Sequence, residues 1–197
     1  MKHRPLVFLD IETTGISARG GRITEIGALR VEDGKIVGQF KQLINPEEPV
    51  SRFITNLTGI TNEMLWDAPT FRSIADDLEL FLDGALFIAH NVSFDYSFIK
   101  MEFERIGYKF NMDRACSAKL SRRLYPEHRS HALDRLIERL GIDVENRHRA
   151  YDDAEVIWKF FQAELKRGEL ELYSAMNKVT SFARINRYNP QADTTHN

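Results

Sequence analysis

The sequence predicts a single α/β domain, and three observations support that fold class. Short apolar segments with turn signals between them fill the first 45 residues, which is typical of strands. From residue 70 onward, apolar residues recur at helical spacing, interrupted by one further short apolar run. The 197 residues are 43% hydrophobic and 28% charged, which is enough to bury the core of one layered domain.

Strands are predicted first along the chain. Residues 6–11 form an apolar run that ends in acidic residues and suits a buried strand. Residues 23–31 and 35–44 flank Asp33-Gly34, a dipeptide that favours a hairpin turn. These three segments predict an antiparallel meander, and residues 85–89 predict a later short strand.

Helices are predicted through the rest of the chain. Residues 61–64 resemble a short helix start, and longer helices are expected at 70–82, 92–106, 115–124, 132–140 and 150–166. We expect the main domain at 1–168, followed over 169–197 by a further helix, at 169–179, and a polar tail from 188.

The charge balance neither favours nor excludes a nucleic-acid partner. The formal net charge is −2, whereas nucleic-acid binders are usually basic. Residues 114–149, however, hold nine arginines and lysines against five acids. The single cysteine, Cys116, gives no sign of secretion, and no apolar run approaches a membrane span. A cytoplasmic protein with no membrane contact is therefore expected.

Asp10 and Glu12 form the first candidate metal site. They lie two residues apart at the end of a strand, so their side chains share one face. Two adjacent carboxylates repel each other unless a cation lies between them. The alternative is that the strand ends at Leu9 and both acids are hydrated.

Two further groups of polar residues lie at predicted helix starts. His90 and Asn91 follow the second apolar strand, with Asn91 as a candidate N-cap and Asp95 in the first helical turn. His148 precedes the longest helix, which carries Asp152 and Asp153 in its first turn. Each acid has a purely structural alternative, because helix dipoles favour acids in this position.

Together these motifs resemble the DEDDh group of 3′→5′ exonucleases, which includes the epsilon proofreading subunit of bacterial DNA polymerase III. The motifs are FLDIETTG at 8–15, HNVSFD at 90–95 and HRAYDDA at 148–154, with lesser matches LTGIT at 57–61 and DAPTF at 67–71. The resemblance runs from about residue 6 to residue 161. It implies a ribonuclease H-like mixed five-stranded sheet flanked by helices, with the 85–89 strand beside the first strand and the fifth strand near 111–113.

The resemblance also implies the chemistry. Asp10, Glu12, Asp95 and Asp153 would hold two divalent cations, Mg²⁺ or Mn²⁺, with Asp10 between them, and His148 would act as the general base. The family places its histidine five positions before the acid, which selects Asp153 over Asp152. The sister subgroup uses a tyrosine four positions before its acid, but Arg149 occupies that place here.

Substrate contacts are carried over from the same resemblance. Thr13, Thr14 and Gly15 would line the pocket for the terminal nucleotide, and His90 and Asn91 are candidate contacts beside it. We expect a single-stranded 3′ end as partner, with DNA favoured over RNA, and a DNA polymerase subunit is a candidate partner for the C-terminal segment.

Two other functions stay open on the sequence. The shared motifs also fit an exoribonuclease acting on short or structured RNA. A catalytically inactive nucleic-acid-binding scaffold is the second alternative, but such a protein would be expected to lack at least one of the five site residues, all of which are present.

Overall fold

A six-stranded mixed sheet forms the centre of the protein in the computed structural model, which describes residues 4–144 and 147–183. The strands are β1 (Leu6–Thr13), β2 (Ile23–Glu32), β3 (Lys35–Leu43), β4 (Leu86–Ala89), β5 (Arg114–Cys116) and β6 (Thr180–Ser181). Their order across the sheet is β3-β2-β1-β4-β5-β6.

The strand pairing confirms the predicted meander and corrects the strand count. Strands β1, β2 and β3 pair antiparallel, and β4 lies parallel to β1 as expected. The fifth strand runs parallel to β4 and lies slightly later than the expected 111–113. A sixth, two-residue strand after the last helix pairs antiparallel with β5, so the expectation of five strands was wrong.

Eight helices surround the sheet in the described part of the chain. They are α1 (Arg52–Thr58), α2 (Asn62–Trp66), α3 (Phe71–Leu82), α4 (Ser93–Arg105), α5 (Ser117–Leu124), α6 (Leu133–Leu140), α7 (Ala150–Arg167) and α8 (Glu169–Val179). Helix α1, capped by Ser51 and ended by a left-handed Gly59, was not predicted. The helix expected at 115–124 begins two residues later because Ala115 and Cys116 belong to β5. The predicted polar tail at 188–197 lies outside the described residues.

Two hydrophobic layers cover the two faces of the sheet, and β1 contributes alternate residues to each. Val7, Leu9 and Ile11 pack with α3 and α4, including the fully buried Phe98. Leu6 and Phe8 face the other way, where Phe8 contacts the aromatic rings of α7. Because side chains alternate along a strand, Asp10 and Glu12 continue the face that α7 covers.

Candidate active site at the end of strand β1

Three carboxylates meet where β1 leaves the hydrophobic core. Ligand oxygens of Asp10, Glu12 and Asp153 all lie within 4.8 Å of one another. The first two are half-buried on β1, and Asp153 is buried in the first turn of α7. The predicted choice of Asp153 over Asp152 agrees with this geometry, because Asp153 is the member of the pair that reaches the cluster.

A glycine on β2 allows α7 to approach the acids so closely. Gly27 is the cross-strand partner of Asp10. A Cβ added at Gly27 would lie 2.0 Å from the backbone nitrogen of Tyr151, closer than any non-bonded contact allows. The helix backbone therefore rests directly on the strand, and this contact sets the distance from Asp153 to the two acids of β1.

A second buried acid lies next to the cluster on β2. Glu25 is the cross-strand partner of Glu12, and it is only 6% exposed. Its carboxylate accepts hydrogen bonds from the Arg149 guanidinium, at 2.6–3.1 Å, and from the Ala150 backbone N–H at 3.0 Å. This acid is thus bonded to the start of α7.

Asp95 lies in the first turn of α4, as predicted, and is 2% exposed. It is outside the group of three acids that meet within 4.8 Å, but its charge raises the pKa of Asp10. The Ile11 backbone helps to lower the pKa of Asp95, which places this acid beside β1. Its Oδ2 atom is buried without a hydrogen-bond partner among the described residues. The N-cap of α4 is Val92, so the expected N-cap role of Asn91 was wrong; Asn91 instead has a positive φ of 68° in the preceding turn.

Burial raises the pKa of all four acids, and the charges of neighbouring acids raise it further at Asp10 and Glu12. Burial, together with repulsion from Asp95, Asp153 and Glu12, raises the pKa of Asp10 well above its usual range. Burial and the charge of Asp153 raise the pKa of Glu12 to about 8. Burial also raises the pKa of Asp95 to about 8. Carboxylates crowded in this way are stabilised by cations, so this donor set fits hard divalent metal ions.

An arginine occupies the open side of the cluster. The Arg147 guanidinium hydrogen-bonds to the carboxylate of Asp153 and also to Asp134, at 2.6 and 2.9 Å, in the first turn of α6. Burial raises the pKa of Asp153, and the bond from Arg147 lowers it in part. A positive charge therefore already offsets some of the repulsion among the acids.

His148 lies beside Arg147, two residues before α7, and is half-buried. Its φ of 62° is in the left-handed region, where histidine occurs more readily than most side chains. The His148 backbone also helps to lower the pKa of Asp153. The residue that carries the predicted base therefore lies close to the predicted fourth acid.

The hydroxyls of the predicted substrate residues are engaged within their own turn. The hydroxyl of the buried Thr13 donates to the Gly15 carbonyl at 2.7 Å. That of Thr14 accepts from the Arg22 backbone and donates to Glu48 at 2.6 Å. These bonds shape the loop after β1, next to Asp10 and Glu12.

The ring of His90 is held by a side chain of α5. Its Nδ1 lies 3.0 Å from the Ser117 hydroxyl, and the His131 backbone is near enough to oppose part of the lowering of its pKa. Burial lowers the pKa of His90 to about 4, so the ring is neutral. Asn91 beside it is exposed. His90 therefore lies between the start of α4, which carries Asp95, and the segment before α6. The side chain of Asn91, in contrast, is exposed and can contact a ligand.

Sequence reasoning missed four residues that shape the site: Glu25, Asp134, Arg147 and Arg149. One of them carried a usable signal. Glu25 is an acid within the apolar strand 23–31, and the hairpin register places it opposite Glu12. The ion pairs of the other three join distant parts of the chain and leave no periodic pattern.

Sequence comparisons place the site within a known group of proteins. Residues 7–161 match the RNase_T family model, which is described as exonuclease. The chain is 39% identical over 155 residues to the PolC-type DNA polymerase III of Caldanaerobacter subterraneus subsp. tengcongensis, covering 79% of this chain and 11% of the polymerase. The corresponding protein of Oceanobacillus iheyensis is 35% identical over 190 residues, covering 92% and 13%. The chain thus spans about an eighth of the length of these relatives.

Solved structures share the fold. Exonuclease X in complex with 5′-overhanging duplex DNA superposes with a TM-score of 0.69 at 25% identity, covering 87% of this chain and 98% of that one. Exonuclease I gives a TM-score of 0.78 at 18% identity, covering 87% and 43%. The nuclease domain of 3′hExo bound to rAMP gives 0.72 at 21%, covering 84% and 94%.

Proposed function

Because this chain belongs to the RNase_T family of exonucleases, we propose that it removes nucleotides one at a time from the 3′ end of DNA, releasing nucleoside monophosphates. The observation that carries the proposal is the convergence of ligand oxygens of Asp10, Glu12 and Asp153 within 4.8 Å, with Asp95 close enough for its charge to raise the pKa of Asp10. An acidic cluster of this kind suits hydrolysis of a phosphodiester with divalent cations.

The four acids would hold two cations, for which we propose Mg²⁺ or Mn²⁺ because both prefer oxygen ligands. Such ions, when bound, lower the pKa of an attacking water and neutralise charge at the phosphate. The acid set fits this task, since Asp95 has an unbonded buried oxygen and Asp10 is repelled by its neighbours.

His148 is the proposed general base, taking the proton of the attacking water on an imidazole nitrogen. Histidine suits this step because its ordinary pKa lies near neutrality. The residue that carries the base lies next to the acidic cluster, because its backbone is close enough to lower the pKa of Asp153. Asp10, Glu12, Asp95 and Asp153 are the proposed metal ligands, and Thr13, Thr14, Gly15, His90 and Asn91 remain proposed contacts or supports for the terminal nucleotide.

Residues 114–149, here called the basic segment, are proposed to provide a surface for the substrate strand. Four of its side chains are exposed and form no ion pair with described residues: Lys119, Arg122, Arg123 and Arg129. The segment borders the site, because Asp134 bonds to Arg147, which also bonds to Asp153. Positive side chains in this position would contact backbone phosphates without reading sequence.

DNA is the proposed substrate because the similar full-length proteins are DNA polymerases and because exonuclease X was solved with DNA. A polymerase subunit is accordingly a proposed partner, and the cytoplasm is the proposed location.

None of the helices within residues 4–144 and 147–183 combines the length and the apolar character that a membrane span requires. The proposed exonuclease domain is 1–168, although α8 packs into the same core through Leu172 and Met176.

The test is a comparison of 3′-end degradation. The chain would be given 3′-labelled and 5′-labelled single-stranded DNA, a mismatched primer end, single-stranded RNA and a two-to-five-nucleotide RNA, each with Mg²⁺, Mn²⁺ or chelator. We expect metal-dependent loss of the 3′ label first, with DNA degraded faster than RNA. Faster degradation of RNA would identify an exoribonuclease, and binding without degradation in any metal would identify a scaffold.

A further inference from the structure

A buried acid outside the metal-binding set, Glu25, has a defined task in the site. We propose that Glu25 is a positioning residue that holds the first turn of α7, and with it Asp153 and His148, against the acids of β1. The inference rests on the proposed function, because positioning matters only if those residues bind metal and catalyse hydrolysis. Glu25 itself is not one of the three clustered ligands.

The contacts of Glu25 are those of a helix cap supplied by another element. Helix α7 begins after Arg149, whose own side chain makes no capping hydrogen bond. The free N–H of Ala150, the first helical residue, donates instead to Glu25 Oε2 at 3.0 Å. Acidic groups at a helix N-terminus are stabilised by its unpaired N–H groups and its dipole. Strand β2 thus provides, through Glu25, the N-terminal cap that the sequence of α7 lacks.

The guanidinium of Arg149 completes this attachment. Its Nε and Nη2 atoms both donate to Glu25, in the two-pronged geometry that fixes orientation as well as distance. Arg149 lies between His148 and Ala150, so the same carboxylate restrains the residue after the proposed base. Its backbone carbonyl accepts from the N–H of Asp153 at 3.0 Å, which connects Glu25 to the fourth acid through one residue.

Charge explains why Glu25 does not add to the metal ligands. It lies opposite Glu12 on the same face of the sheet, and its charge helps to raise the pKa of Glu12. The ion pair with Arg149 offsets that negative charge, so Glu25 does not add a free carboxylate to the four proposed metal ligands. Glu25 is 8% exposed at its side chain, and without Arg149 it would be a buried, unpaired charge.

The test measures Mn²⁺ affinity by titration calorimetry on folded, chelator-treated protein. We expect Glu25→Gln to weaken Mn²⁺ binding roughly tenfold or more, as for other residues that orient metal ligands. It should also lower kcat more than it raises KM on a dinucleotide substrate. The matched control is Glu164→Gln on α7, the helix whose first turn Glu25 holds. Glu164 is also buried, and its carboxylate accepts a hydrogen bond from Tyr125. It lies 11 residues beyond Asp153 along α7, so its replacement should leave Mn²⁺ affinity within about twofold.

A second variant tests the positioning role of Glu25 if Glu25→Gln does not fold. Arg149→Gln removes the half-exposed partner, and we expect it to weaken Mn²⁺ binding; where Glu25→Gln also folds, the effects of the two substitutions should not be additive. Unchanged affinity and kcat in the variants that fold would overturn the positioning role. Tighter Mn²⁺ binding in Arg149→Gln would also overturn it, because the released Glu25 carboxylate would then attract the metal ion instead of holding the helix. Absence of 3′-end degradation by the unmodified chain would instead contradict the proposed function, whatever the affinities.

Discussion

Arg147 and Asp153 form an ion pair at the open side of the acidic cluster, and Arg147 reaches the Asp134 carboxylate with its other nitrogens. The guanidinium therefore competes with metal ions for one of their proposed ligands. We predict that Arg147→Gln tightens Mn²⁺ binding roughly fivefold, or about 1 kcal/mol, because a nearby positive charge is removed. Calorimetric titration checks this, with Arg135→Gln as a control that removes an exposed ion pair on α6. Weaker binding would mean that Arg147 orders Asp153 for the metal instead.

The acidic cluster makes the metal-free protein sensitive to pH. The pKa values of Glu12 and Asp95 are raised to about 8 in the folded state, above those of the unfolded chain. Between the unfolded and folded pKa values the folded state binds more protons, so the free energy of unfolding falls as pH rises toward 8. His90, whose pKa is lowered to about 4, acts in the opposite direction only below about pH 6.5.

The measurement is urea unfolding in chelator at pH 7 and pH 8.5. We expect a lower free energy of unfolding at the higher pH, a smaller difference in Asp95→Asn, and recovery when Mn²⁺ is added. A chelated protein that is equally stable at both pH values would contradict the raised pKa values. Recovery by Mn²⁺ follows because ligands that bind only the folded state stabilise it.

Substitution of the proposed base should separate chemistry from metal binding. His148→Ala is expected to lower kcat by roughly 10²- to 10⁴-fold, the usual contribution of a general base, with Mn²⁺ affinity nearly unchanged. Asp10→Ala should abolish activity with either metal. Near-normal turnover in His148→Ala would remove the histidine from the mechanism.

The backbone at His148 supplies a further control. Because its φ is 62°, glycine fits the position without strain and alanine does not. His148→Gly should therefore be more stable than His148→Ala by roughly 1 kcal/mol in thermal unfolding. Added imidazole should restore part of the activity of the glycine variant, and it should restore none in Asp10→Ala.

The basic segment can be tested through salt dependence. Removing one side chain that binds a phosphate of a single strand reduces the slope of log Kobs against log salt by about 0.7. We expect the double variant Arg122→Ala, Arg123→Ala to lower the slope by roughly 1.4 if both side chains touch phosphates. Binding of a long oligonucleotide in chelator gives the slope, and hydrolysis of a dinucleotide should be unaffected. Arg72→Ala, an exposed arginine on α3, is the control, and an unchanged slope in the double variant would place the strand elsewhere.

Most of the fold could be predicted from the sequence, because the patterns that indicate its strands and helices are local. The short apolar segments of β1, β2 and β3 and the Asp33-Gly34 turn predict the meander, and helical spacing predicts α3, α4 and α7. Strand β5 was harder to predict, because its three residues run directly into α5 and carry no period of their own. The two residues of β6 are recognised only by their pairing with β5.

The candidate site, like the fold, could be predicted only in part. The acids at strand ends and helix starts could be predicted, since their positions and order lie in the sequence. The surrounding ion pairs could not, because Arg147 meets Asp134 and Arg149 meets Glu25 only after α7 has packed on β2. Those contacts depend on the path of the chain in three dimensions, which a single sequence does not specify residue by residue.

The direct contact between Gly27 and the backbone of α7 has a consequence for which substitutions the protein tolerates. Any side chain at position 27 would push the helix off the strand and move one metal ligand away from the others. In a saturation-mutagenesis screen for metal-stimulated nuclease activity, we therefore expect position 27 to accept no other residue. Gly20, where an added Cβ would meet open space, should accept alanine freely. Activity in a Gly27→Ala protein would show that the helix can shift while the site stays intact.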